Sequence, residues 1–161
     1  MTLVGQYRSA RRSQDVARLR RVIALRTMAA TGRTQRQIAQ DLGISQPAVS
    51  QQVNAKRALD IDGGPAPAEV LLEAASPLVK EVAANLGFSD VAVFGSVARG
   101  QSRVESDIDL VVTPPPGATI EDMTRLRDLM ERILGRSVDV VSYGGLKAGI
   151  DDDIRREAVP L

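Results

Sequence analysis

Asp107 and Asp109 stand one residue apart in "DIDLVV", Asp107–Val112, an otherwise apolar run that reads as a strand. Side chains alternate across a strand, so both carboxylates project from one face while Ile108 and Leu110 point to the other. Two such charges repel by about 1–4 kcal/mol, depending on the local dielectric. A divalent cation turns that repulsion into coordination. Asp139 repeats the pattern by interrupting the apolar "SVDVVS", Ser137–Ser142. If the two strands are neighbours, three carboxylates converge on one site. The chain has no His and no Cys. That removes imidazole bases, Ser-His and Cys-His nucleophiles and the usual zinc sites. An oxygen-only donor set points to Mg²⁺ or Mn²⁺, and so to phosphoryl or nucleotidyl transfer.

A phosphate needs a cradle, and "VAVF", Val91–Phe94, is followed by Gly95-Ser96. Glycine lets the backbone approach a phosphate closely. Ser96 offers a hydroxyl and an N–H at the start of the short helix expected next. Arg99, one turn on, and Arg103 are placed to reach other phosphate oxygens.

These groups need elements to hold them. The third strand is the Asp139 segment. Amphipathic helices are expected over Ala68–Leu86, with Pro77 as a kink or break, and over Ile120–Leu134, with a weak final helix over Ala148–Glu157. Strands alternating with helices predict a small mixed sheet with flanking helices. With aromatic residues at only 2%, the core must be Val, Leu, Ile and Ala, and a binder that stacks single-stranded bases on aromatic platforms is disfavoured.

The first part of the chain differs. Residues 1–60 carry eleven Lys and Arg against three Asp and Glu, a net +8, whereas the remainder is −7. The basic half suits a polyanion. A helix is expected over Ser13–Thr31, ended by Gly32. Thr34 caps a second that runs to Leu42, with Gln37 completing a capping box. Gly43 breaks it, and Ser45 caps a third with Pro47 in its first turn. Ile38, Leu42, Ile44, Val49 and Val53 are the expected wedge between them. Gln46, Ser50, Gln51 and Asn54 face outward, with amides and hydroxyls suited to base edges, and Arg33, Arg36, Lys56 and Arg57 are placed for phosphates. "TQRQIAQDLGISQPAVSQQV", Thr34–Val53, resembles the helix-turn-helix of the phage Cro and repressor family. The resemblance implies operator DNA as a partner, with Ser45 among the contacting residues, and a homodimer reading two half-sites. The Gly/Pro stretch "LDIDGGPAPAE" marks the boundary, giving a helix-turn-helix domain over 1–60, a linker over 61–68 and a second domain over 69–161. The expected class is α+β.

The joint pattern of "GSVARGQSRVESDIDLVV" and a third Asp strand resembles the DNA polymerase β-like nucleotidyltransferase superfamily, and within it the minimal nucleotidyltransferases usually encoded beside a HEPN-domain toxin. The closing "IRREAVPL" resembles the tail of that group. The resemblance implies that Gly95 and Ser96 hold the triphosphate of ATP or another NTP. Asp107 and Asp109 would bind both metal ions, and Asp139 would help deprotonate the acceptor hydroxyl. It further implies transfer of AMP to a hydroxyl of a partner toxin or of an RNA end. The basic half is a departure from that group, and it adds an expected role in repressing the operon. The alternative is a non-catalytic antitoxin that uses the fold only to grip a toxin or a nucleotide. The opening "MTLVGQYRSARRSQDVARLRR" has no apolar run of the kind a secretory leader carries, and no run is long enough to span a bilayer, so a cytoplasmic protein without membrane contact is expected.

Overall fold

Capping side chains start the helices of the basic half. In the computed structural model, which describes residues 2–161, Thr2 accepts from the Gly5 N–H and opens α1, Leu3–Ala30. The helix begins ten residues before the expected Ser13. None of residues 3–14 is buried, so that stretch has no apolar period to read. Thr34 and Gln37 form the expected capping box of α2, Gln35–Leu42, which Gly43 closes at φ 65°. Ser45 accepts from the Ala48 N–H at the start of α3, Gln46–Asn54.

Ile38 and Val49 are fully buried between these helices, with Ala39 beside them, and α1 completes the cluster with Leu25, Met28 and Ala29. Two residues of the expected wedge lie elsewhere. Leu42 and Ile44 are 49% and 40% exposed. They flank the left-handed Gly43 turn, which points both outward, and α1 fills the space they were assigned.

The expected linker is a pinned turn. Asp60–Ile61 (β1) and Gly64–Pro65 (β2) pair antiparallel, and Leu59, Ala66 and Ala68 are buried in the main core. Three guanidiniums hold the approach and exit by donating to backbone carbonyls: Arg18 to Ala58 (3.0 Å) and Asp60, Arg26 to Ala55 (3.2 Å), and Arg136 to Ala66. Moreover, Val16, Leu19, Val22 and Ile23 of α1 belong to the same core as the helices that follow the turn. The boundary at 61–68 is a bend in the chain and not a break in the packing.

After it, α4 runs unbroken over Ala68–Asn85. Pro77 neither splits nor ends it. It lies on the exposed face, where water can satisfy the carbonyl that its ring leaves without a donor. Then follow β3 (Ser89–Phe94), α5 (Gly95–Ala98), β4 (Ile108–Thr113), α6 (Ile120–Leu134), β5 (Val138–Ser142), a 3₁₀ turn at Tyr143–Gly145, α7 (Asp152–Glu157) and β6 (Val159–Pro160). The main sheet has the order β5-β4-β3-β6, with β4 and β5 parallel and the other pairs antiparallel. Ile108, Leu110 and Val112 pack from one face onto the helical layer, with Leu126, Met130 and Ile133 of α6 among their core neighbours. The class is α+β, a helical N-terminal region before a mixed sheet with flanking helices, as expected.

The tail departs from expectation. The last helix begins at Asp152 and not Ala148, because Gly149 sits at φ 84° and turns the chain first. The residues after it add a strand: Val159 pairs with Val93, and the Leu161 N–H donates to Val91 (3.1 Å).

Candidate active site

Strand register brings the carboxylates to one face. Asp109 on β4 is the Cα partner of Asp139 on β5 and, across the other edge, of Phe94 on β3. Asp107 precedes β4 by one residue and is exposed, as is Asp139, while Asp109 between them is half-buried. The opposite face of β4 is the apolar core already described. One residue of register shift would put these carboxylates into that core, so the hydrophobic pattern fixes the acidic face.

Gly95 shows how closely the turn approaches that face. Its φ is +71°, and a Cβ there would collide with Asp109 Oδ2 and lie 3.3 Å from Asp109 Cγ. Only glycine meets both demands. Ser96 follows at the start of α5, half-buried. Arg99 caps the end of this turn and reaches across to Glu157 of α7, Nη1 to Oε2 2.7 Å. Arg103 lies in the exposed loop before β4, where its backbone N–H donates to Ser106 Oγ at 2.7 Å.

Burial pushes the Asp109 carboxyl above the ordinary aspartate range, and the charges of Asp139 and Asp107 push it further; Arg99 opposes them and Glu157 adds to them. Asp109 is thus the shared neighbour of the other two. The convergence expected of all three is nevertheless incomplete. Among the described residues, no three acidic side chains are gathered tightly enough to hold an ion. The backbone fixes the face and the register. The exposed side chains of Asp107 and Asp139 rotate about χ1 and χ2, so the ligand set is aligned without being clenched. Its chemistry, carboxylate oxygens around a mutually repelling centre, fits a hard divalent cation, with Asp107, Asp109 and Asp139 as the residues to hold it.

Glu157 was not anticipated. Its only sequence signal is a charged helix end just before the apolar "AVPL", and the contact with Arg99 depends on α7 folding back over α5.

The residues expected to meet DNA lie on α2, α3 and the segments flanking them. Gln46 and Gln51 are exposed on α3, and Arg36 is exposed on α2. Ser45 is spent on the cap. Asn54 Nδ2 donates to Ser50 Oγ at 3.2 Å, and the Arg33 guanidinium pairs with Asp41. Asn54 and Lys56 also line a cleft that faces the sheet. No described helix is long and apolar enough to cross a membrane.

Residues 76–160, which contain every one of the carboxylates and both residues of the Gly-Ser turn, match the nucleotidyltransferase domain family. The protein adenylyltransferase MntA of Thermococcus cleftensis is 34% identical over 80 residues, 50% of this chain and 81% of that protein. A candidate protein adenylyltransferase of Methanocaldococcus jannaschii is 37% identical over 75 residues, 47% of this chain and 81% of its own length. A solved structure described as a candidate minimal nucleotidyltransferase superposes with a TM-score of 0.55 at 41% identity, covering 61% of this chain and all of that one. Since the matched span holds both the acidic face and the turn that presses on it, the chain belongs to the nucleotidyltransferase domain family and is a nucleotidyltransferase.

Proposed function

We propose that this chain transfers AMP from ATP to a hydroxyl of a partner protein. The reading is supported above all by one observation: Asp109 is in register with Asp139 on one side and pressed by Gly95 on the other. In this reading Gly95 and Ser96 hold the triphosphate, with Arg99 and Arg103 near its outer oxygens. A divalent cation, Mg²⁺ or Mn²⁺, held by Asp107, Asp109 and Asp139, supplies charge neutralisation for the phosphates. The acceptor oxygen forms a bond to the α-phosphorus, the bond to the β-phosphate oxygen breaks, and pyrophosphate leaves. Asp139, on the exposed edge strand, takes the acceptor proton. The relatives named as protein adenylyltransferases support a protein acceptor.

In this reading the partner is a cognate toxin encoded nearby, HEPN-like or of another kind, which brings the acceptor hydroxyl to the acidic face. The basic helix-turn-helix binds operator DNA as a homodimer, and the protein works in the cytoplasm. Incubating the full chain with α-labelled ATP, Mg²⁺ and the folded product of the neighbouring gene tests the reading. Label moves to that product, and Asp109→Asn stops it. Absence of transfer to a correctly folded partner rejects it.

A second reading, a binding protein that grips its toxin without modifying it, is favoured by the ungathered carboxylates. Asp107→Ala with Asp109→Ala separates the two. Toxin neutralisation that survives the double substitution supports the binding protein, and its loss supports the enzyme.

A further inference from the structure

A cleft of about 590 Å³ opens between the end of α3, the β1–β2 turn and the loop joining α6 to β5. It is of a size that holds a small molecule. Its walls come from both halves of the chain. Arg26, Asn54, Lys56 and Ala66 lie outside the residues that match the nucleotidyltransferase family, whereas Asp107 and Arg136 lie within them. The cleft is therefore a product of this chain's particular combination of parts.

Its charges are poorly compensated at one end. Arg26 and Arg136 are half-buried. Each donates to a backbone carbonyl, Ala55 and Ala66 respectively, and neither forms an ion pair among the described residues. Each also has a buried nitrogen without an acceptor, Arg26 Nε and Arg136 Nη1. Burial lowers the pKa of both guanidiniums, opposed at Arg136 by the charge of Glu69. Lys56 adds an exposed ammonium at the mouth, also without an ion pair among the described residues. A desolvated guanidinium without a counter-charge is costly to keep, and its forked donors match phosphate oxygens. The carboxylates of the lining are placed differently. Asp60 has Arg57 at 4.0 Å, and Glu105 and Asp107 are exposed on the loop that enters β4. The cleft thus carries Arg26, Arg136 and Lys56 beside Asp60 near the β1–β2 turn, with Glu105 and Asp107 where it meets the catalytic strand.

We propose that this cleft binds a small phosphate-bearing ligand, held by Arg26, Arg136 and Lys56 with Asn54 at its rim. The occupant touches the last turn of the DNA-facing helix at one end and the loop carrying Asp107 at the other. Gly95 and Ser96 are not part of its lining, which shares only Asp107 with the acidic face. A diphosphate and a nucleoside monophosphate both carry the required chemistry.

Calorimetric titration of the full chain in EDTA isolates the site, because in the proposed function a triphosphate at Gly95-Ser96 needs a divalent cation on Asp107, Asp109 and Asp139, whereas the cleft has Arg26, Arg136 and Lys56 of its own. Pyrophosphate and AMP are the two probes. The expected result is one ligand per chain, weakened about 10-fold or more by Arg136→Met and about 3- to 10-fold by Lys56→Glu, and unchanged by Ser96→Ala. Lys56 is exposed, so its substitution reads the site even where Arg136→Met, by releasing Ala66, unfolds the turn. Tighter binding of AMP identifies a nucleotide as the occupant; tighter binding of pyrophosphate identifies a diphosphate. Three results overturn the proposal: no binding by folded protein up to about 5 mM; binding lost in Ser96→Ala but kept in Lys56→Glu; or binding weakened as much by Arg36→Gln on α2, which would place it on the DNA-facing surface. None of these results bears on whether label moves from ATP to a partner.

Discussion

The two halves of the molecule solve the problem of a core at very different scales. The sheet and its helices share one large cluster of buried side chains, whereas the cluster around α2 and α3 has four buried residues, Leu25, Ile38, Ala39 and Val49. One of those four, Leu25, belongs to α1, which also sends Val16, Leu19, Val22 and Ile23 into the large cluster. A unit of α2 and α3 alone could not exclude water from Ile38 and Val49. The small half is stable because it borrows a helix already anchored in the large one. Arg18, Arg26 and Arg136 tie the crossing segment down by its carbonyls, while Asp107, Asp109 and Asp139 lie along the sheet face away from the core.

Substitutions can separate the halves or break both. The largest expected effect is on chemistry alone. On the proposed function, Asp109→Asn should lower AMP transfer by about 10³-fold or more, on the scale seen when a transition-state charge partner is removed, while the proposed binding of DNA by α2 and α3, measured by fluorescence anisotropy, stays unchanged. Next comes the shared helix. Ile23→Ala should cost about 2–5 kcal/mol and lower catalytic and DNA-binding midpoints together in urea titration. Separate transitions would show that the halves unfold independently. Val49→Ala should cost roughly 1–3 kcal/mol and act on one half only. Amide hydrogen exchange should rise across α2 and α3 while transfer activity persists.

The smallest effect follows from the raised carboxyl of Asp109. Its proton is held more tightly in the folded chain than in the unfolded one. The associated stability is fully present below the ordinary aspartate value of about 3.9 and is lost as pH rises through the elevated folded value. In chelator-containing buffer the Asp109 contribution should therefore lower Tm as pH climbs above about 4, against the opposite contribution of Asp122, whose cap on Thr119 holds its carboxyl below the ordinary range. Asp109→Asn should flatten that fall and raise Tm at neutral pH by about 1–2 °C. A fall of the same slope in the variant would assign the pH dependence to other groups.

The catalytic face was legible because its signals are local. Asp107, Asp109 and Asp139 interrupt apolar strands, and Gly95 sits where only glycine fits. The Thr34–Gln37 capping box and the Gly43 turn were legible for the same reason. What could not be read depends on distant partners. "LDIDGGPAPAE" has the composition of a loose linker, and the same residues suit a tight turn. Only Arg18, Arg26 and Arg136, far apart in sequence, decide between them. Leu42 and Ile44 look like core residues until α1 occupies their place. The strand at Val159–Pro160 is two residues long, too short for any periodicity.

The 28 residues of α1 make a rod about 42 Å long, and they carry no glycine or proline beyond Gly5. The rod has no hinge between the positions that seat it in the two clusters. A single residue inserted between Ile23 and Leu25 would swing one seat about 100° around the axis relative to the other, so that only one could dock. The orientation of α2 and α3 toward the acidic face is therefore set by helical phase, and changes of length in this segment would be tolerated only in steps close to whole turns.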